Sequence, residues 1–446
     1  MFERYTLTEL KKWAAREGRK PLVLRGARQV GKTTLVEEFS KNYGTFLKLN
    51  LDRKEDADLF EMGMNTNDLV TSIYLLNNKQ RKDVPTLLFI DEIQSSPKAV
   101  AQLRYFYEDM PHIHVIAAGS LLESLIDNKQ ISFPVGRVEY MAIRPCSFNE
   151  FLGAVSEKEL KNAQNSTEIP LAAHKKTISL FNSYTLIGGM PEVVSNYSKN
   201  KDIISVQRIY ETLITGYRDD VEKYARNESS KNIIRHILSV GWTYAAQRIT
   251  FEKFGNSNYR SKDMSEAFRT LEKAMLLELC YPTTSCVVPL AGESKRAPKL
   301  LWLDTGLVNY VAGIQKELIG ISDLNDAWKG HIAEHIVGQG LLASDNIFSH
   351  KRHFWVGGQH SEAEVDFVMQ YENKIIPIEV KSGHNSKLRS LHQFIDKSPC
   401  DIAVRFWGQP LSVDDVETTI SKKKYRLVNV PYYYADKLNF ILSGLI

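Results

Sequence analysis

Apolar residues at three-residue spacing open the chain. Leu7, Leu10 and Trp13 fall on one face of residues 5–17, which predicts an amphipathic helix. A short apolar run from Pro21 to Arg25 follows and stops at a glycine, and a helical pattern then extends from Thr33 to Phe39. Four further runs read as strands: Phe46–Asn50, Thr86–Ile90, His112–Ala118 and Val138–Ile143. Runs apolar on both faces, separated by helical stretches, predict an α/β fold with a parallel sheet covered on both sides.

The pattern changes near Pro145. Residues 145–225 read as helical, broken by a Gly188-Gly189-Met190-Pro191 turn. Residues 226–300 read as helices at Lys231–Gly241, near Phe251–Phe254 and from Ser261, followed by a β-rich stretch. From Trp328 a helix leads to strands at 353–356, 363–369 and 374–380, and a mixed tail runs to Ile446. A chain of 446 residues exceeds one compact core. The expected division is a core at 1–150, a helical lid or linker at 151–225, a helix-rich module at 226–300 and an α/β domain at 301–446.

Hydrophobic residues (43%) and charged residues (25%) match a soluble globular chain rather than a disordered or fibrous one. A net charge of +4 permits a DNA partner without requiring one. Cys146, Cys280, Cys286 and Cys400 form no CxxC pair, so neither a disulfide framework nor a zinc site is expected. The charged first twenty residues lack the apolar core of a signal peptide, and no apolar run reaches the length of a membrane span. A cytoplasmic protein with no membrane contact is expected.

Gly26 to Thr33 reads GARQVGKT and fits GxxxxGK[ST] in full, with an apolar strand before it and a helix after it. Such a match arises by chance in roughly one or two of a hundred chains of this length, and the flanking elements tighten it. Gly26 and Gly31 let the backbone wrap closely, so that the N–H groups of Ala27, Arg28, Gln29, Val30 and Gly31 can face the phosphates of ATP, aided by the helix dipole. Lys32 adds a point charge, Thr33 a hydroxyl ligand for Mg²⁺, and Thr34 continues the loop into the helix. Asp91 and Glu92 end the Thr86–Ile90 strand. There Asp91 is expected to hold the magnesium, and Glu92 to polarise the attacking water.

Ser120 ends the next strand and reads either as a sensor of the γ-phosphate or as a helix N-cap. Arg137 reads either as a group reaching the γ-phosphate in a neighbouring subunit or as an ordinary surface arginine. Arg28 and Arg144 are weaker candidates for the same role.

The order of this loop, LLFIDEIQ, VIAAGS and FPVGRVEYMAIRPCSFNEFL resembles a prokaryotic branch of the AAA-type ATPases over residues 20–152. Cys146 stands where most relatives carry leucine. The resemblance implies a P-loop NTPase sheet with a helical lid, ATP hydrolysis and assembly into a homo-oligomer.

Residues 226–300 resemble a winged helix, with the stretch from Ser261 as recognition helix capped by Ser261 or Ser265, and with Lys295, Arg296 and Lys299 on the wing or its return strand. DNA contact and plain packing both remain open for this module. Further on, Asp366 and Glu379 fall on two strands joined by a short link. Glu379 and Lys381, two apart, share a face, and Glu334 lies on a helix. Two or three carboxylates there would hold Mg²⁺, with Lys381 orienting a water. This E…D…ExK order resembles the PD-(D/E)xK nuclease core. The stretch 200–390 also resembles the domain of unknown function that commonly follows this ATPase type.

His331 and His335 lack a third ligand and are read as ordinary histidines. Tyr432–Tyr434 are read as packing and Lys422–Lys424 as a solvated face. The expectation is an ATP-dependent switch or motor whose C-terminal module handles nucleic acid. The rival reading is an ATP-bound regulatory scaffold that acts on protein partners and cuts nothing.

Overall fold

The computed structural model describes residues 2–119, 134–166, 169–220, 225, 227–313, 327–358, 361–381 and 388–445, with the backbone alone for 327–329. Strands β1 (Leu22–Arg25), β2 (Thr45–Asn50), β3 (Thr86–Asp91), β4 (Ile113–Gly119) and β5 (Glu139–Ala142) form a parallel sheet in the order β2-β3-β4-β1-β5. β1 and β3 are buried along their whole length, as their unbroken apolar runs predict, whereas the edge strand β2 alternates. Because β1 lies between β4 and β5, the loop leaving Arg25 emerges within the carboxyl edge of the sheet, one strand away from the end of β3. Open α/β sheets bind ligands at that edge.

The helix Leu171–Ile187 stops because Gly188 adopts φ 64° and ψ −162°, a region essentially restricted to glycine. Pro191, which lacks an N–H and pre-sets φ, opens the next helix, Pro191–Asn200. A capping box of Ser147 and Glu150 starts the helix Phe148–Ala154.

The second sheet is mixed. It contains β6 (Leu277–Thr283), β7 (Lys299–Trp302), β8 (His353–Val356), β9 (Glu364–Tyr371), β10 (Lys374–Val380), β11 (Ile402–Trp407), β12 (Ser412–Glu417) and β13 (Lys424–Pro431). Their order is β12-β13-β11-β10-β9-β8-β6-β7. β9 and β10 form the antiparallel hairpin that the short link suggested. The division expected at 300 falls inside β7, and one sheet runs across it. Helices Glu228–Val240 and Ser261–Lys273 precede this sheet, with bridges Ala245↔Leu300 and Arg248↔Lys299 beside β7. Ser261 is the first helical residue and not the cap; Arg260 holds the N-cap position without a side-chain bond.

One apolar cluster runs from Leu24 and Phe89 through Phe148, Tyr184 and Trp302 to Phe406 and Val430. Tyr432, Tyr433 and Tyr434 are buried in it, so the tyrosine triplet is packing. Among the described residues no helix is long and apolar enough to cross a membrane.

Candidate functional site

The loop after β1 turns sharply. Gln29 (φ 64°) and Gly31 (φ 90°) take left-handed conformations, and Gly31 is the N-cap of the helix Lys32–Phe39. A Cβ on Gly26 would stand 2.5 Å from the carbonyl oxygen of Ile143, so only glycine lets the neighbouring chain approach so closely. Buried Lys32 donates through Nζ to the carbonyls of Gly26 and Ala27, at 2.9 Å each, with its charge folded back over the loop. Thr33 Oγ1 donates to Asp91 Oδ2 at 2.7 Å, so the two expected magnesium-holding groups meet. The Glu92 N–H donates to Asp91 Oδ1 at 3.1 Å, and Gln94 Nε2 donates to Glu92 Oε2. Glu92 has φ 50°, a costly conformation for a residue with a side chain; strain of this kind gathers at functional sites. A cavity of about 1000 Å³ opens here, and Arg28, Thr34, Asp91 and Glu92 are among its lining residues.

Two wall elements were not foreseen from the sequence. Arg4 donates to the carbonyls of Arg144 (2.7 Å) and Val30 (3.3 Å) and pairs with Glu150 (3.0 Å). Pro191 and Ile209 close the cavity from the helical part. Arg28 pairs with Asp220 at 2.6 Å. Arg144 turns away, donating to the carbonyls of Asp345 and Ile347. Arg137 precedes the amino end of β5, at the sheet edge opposite the loop, and pairs with Glu108 at 2.8 Å. It does not line this cavity. Ser120 lies outside the described residues.

The C-terminal acidic residues come together as expected, but around a different cation. Lys381 Nζ lies 2.6 Å from Glu379 Oε1, and the Val380 N–H donates to Asp366 Oδ2 at 2.7 Å. Lys299 Nζ lies 2.6 Å from Glu334 Oε1 and 2.7 Å from Glu364 Oε1. Of the two places expected for Lys299, a wing or its return strand, it takes a strand, β7, with its side chain 3% exposed. The carboxylates expected to form a metal shell, Glu334, Asp366 and Glu379, thus have lysine ammoniums among them. Among the described residues no group of three His, Cys, Asp or Glu side chains is placed to hold one ion. The missed signal was a single lysine heading an otherwise apolar strand, KLLW. His335 is a satisfied core residue, accepting from Trp302 N at 2.9 Å and meeting Thr305 Oγ1 at 2.7 Å.

Residues 18–152 match the family model described as an AAA domain. Residues 18–152 are an AAA-type P-loop ATPase domain. Residues 178–318 and 329–436 match two domains of unknown function, DUF8612 and DUF4143. Similar solved structures include the Walker-type ATPase PABY2304 of Pyrococcus abyssi, 14% identical with a TM-score of 0.44, over 70% of this chain and 96% of that one. The Thermotoga maritima RuvB Holliday junction branch migration motor is 16% identical with a TM-score of 0.28, over 62% and 90%. The Aeropyrum pernix ORC1 protein in complex with DNA is 10% identical with a TM-score of 0.29, over 70% and 93%. Comparison with curated proteins gives no match.

The AAA domain is tied to the chain beyond it at the double glycine. Gly189 N donates to Asp304 Oδ2 at 2.6 Å, and Cys146 N donates to Gly189 O at 2.7 Å. Gln339 Nε2 also donates to Asp304 Oδ2, at 3.1 Å, and Leu307 N to Asp304 Oδ1 at 3.1 Å. Burial pushes the Asp304 carboxyl up to about 6 despite these donors.

Burial also lowers the Lys32 ammonium to about 8, against the pull of Glu92 and Asp91. Phosphate binding needs the charged form, so above that value binding must take up a proton. ATP affinity of the AAA domain is expected to weaken as pH rises past about 8, by up to about tenfold per unit. Titration with a fluorescent ATP analogue across pH 7 to 9 checks this, and Lys32→Met should abolish the slope along with most of the affinity.

Proposed function

We propose that the chain is an ATP-hydrolysing switch of the AAA type that passes its nucleotide state to a nucleic-acid-handling C-terminal part. Lys32 and the backbone of Gly26–Gly31 hold the phosphates, and Glu92, oriented by Gln94, takes the proton of the attacking water. Magnesium held by Thr33 and Asp91 would neutralise phosphate charge. Arg137, released from Glu108, reaches the γ-phosphate of a neighbouring copy in a homo-oligomer.

The observation that carries the coupling is the position of one short segment. Pro191 lines the ATP cavity, while Gly189, two residues earlier, is bonded to Asp304 in the following region. A shift at the phosphates therefore reaches β7 within a few residues.

The nucleic-acid part of the reading rests on the 228–302 region, whose helix, bridge, helix and hairpin order supports a winged helix. On its second helix Lys262, Glu266, Arg269 and Lys273 are exposed at spacings that share one face, and Glu272 beside them pairs with Lys351 at 3.0 Å. The stripe carries three basic groups to one acid.

ATP turnover with and without duplex DNA tests the proposal. Stimulation that fades as salt rises, and disappears in Lys262→Glu/Arg269→Glu, is the expected result. Turnover indifferent to DNA at low salt, or equal DNA affinity in the ATP and ADP states, would overturn it, because a ligand without differential affinity shifts nothing.

A further inference from the structure

Lys299 heads β7 and is fixed there by pairing with Cys280 of β6 and a bridge to Arg248. Besides Glu334 and Glu364, its ammonium lies 3.4 Å from the carbonyl oxygen of Asp366 and 3.9 Å from Asp366 Oδ1. The rings of Phe354 and Phe367 face it at 4.8 and 6.0 Å. Carboxylate oxygens thus converge on the ammonium from a helix and a strand, and oxygen is the donor type that a hard divalent cation takes. Lys381 does not play this part: among the described residues its ion pair is with Glu379, and it is 25% exposed.

We propose that the Lys299 ammonium is the resident cation of this cluster, seated where a metal-dependent centre would hold a divalent ion, so that the C-terminal sheet takes up no divalent metal and cuts no phosphodiester while Lys299 is in place.

The charges agree with this assignment. Glu334, Glu364, Asp366 and Glu379 face Lys299 and Lys381, with Arg248 at the rim, 3.6 Å from Glu364. Burial opposes the charge of Lys299, but Glu334, Asp366 and Glu364 outweigh it and keep the lysine protonated. Glu379 Oε2 is buried and meets no donor among the described residues, and burial pushes the Glu334 and Glu379 carboxyls up to about 8, so the cluster holds its carboxyls at a cost even with both lysines present. Removing Lys299 leaves these carboxylates uncompensated in the interior, a strongly destabilising change that a divalent ion would reverse.

This inference stands apart from the ATP reading, and its test uses the nucleotide-free full chain with Mn²⁺ as the probe. Thermal melting and electron paramagnetic resonance of free Mn²⁺ are followed in the wild type, Asp366→Asn, Lys299→Met and Lys299→Met/Glu379→Gln. Wild-type melting is expected not to move with millimolar Mn²⁺. Lys299→Met should melt at a lower temperature, recover on adding Mn²⁺, and bind one ion per chain that the added Glu379→Gln removes. An ion bound at Asp91 is distinguished by its loss in Asp91→Asn and not in Asp366→Asn. Wild-type Mn²⁺ binding that Asp366→Asn abolishes would overturn the proposal, as would a folded Lys299→Met that gains no ion. If Lys299→Met does not fold even with Mn²⁺, Lys299→Gln takes its place, and the wild-type arm retains the power to refute.

Discussion

Glu92→Gln is expected to lower ATP turnover by on the order of 10²–10⁴-fold while ATP still binds, the range lost when a positioned general base is removed. The substitution keeps the size of the side chain but cannot accept the proton of the attacking water. Lys32 and Thr33, which hold the phosphates and the metal in the proposed site, are untouched, so affinity should stay near that of the wild type. Single-turnover hydrolysis beside equilibrium binding of ATP separates the two steps. Unchanged turnover would take Glu92 out of the chemistry. A loss of binding would instead mean that the Gln94 contact and the left-handed backbone at Glu92 support the loop itself.

The next largest effect is expected at the Gly188–Pro191 segment. Gly188 has φ 64°, and a Cβ there would stand 2.5 Å from both Gly306 N and Asp304 Oδ2 and closer still to Asp304 Oδ1. Gly188→Ala therefore carries about 1–3 kcal/mol of backbone strain and a further ~1–3 kcal/mol for displacing packed neighbours. Urea unfolding of the variant should show a correspondingly lower midpoint. Because Asp304 must move, the bond to Gly189 N is lost as well, so any coupling between ATP and DNA should weaken more than ATP affinity does. A variant as stable as the wild type would mean that the segment relaxes freely.

The parts readable from sequence were those in which local chemistry dictates geometry. A glycine-framed loop between a strand and a helix admits few conformations, so Gly26–Thr33 and its meeting with Asp91 could be anticipated. The strands did so too, because burial on both faces leaves apolar runs such as TLLFI. Side chains whose roles depend on distant partners were not legible. Arg4 looks like any charged residue near a chain end, yet two of its partners, Arg144 and Glu150, lie 140 and 146 positions away. Lys299 carries the same signal as a wing lysine until Glu334 and Glu364 are folded around it. The division at 300 misled for a related reason: a hairpin beside a helix pair reads as a closed module, and only the pairing of β6 with β8 joins it to the later strands.

That pairing has a mechanical consequence. A continuous ladder of main-chain bonds from β7 to β12 resists shear as a stiff plate does, so the region after the ATPase cannot bend like beads on a string. Torque delivered at Asp304 would be felt at the far margin of the plate, at Ser412–Glu417, with little lost along the way.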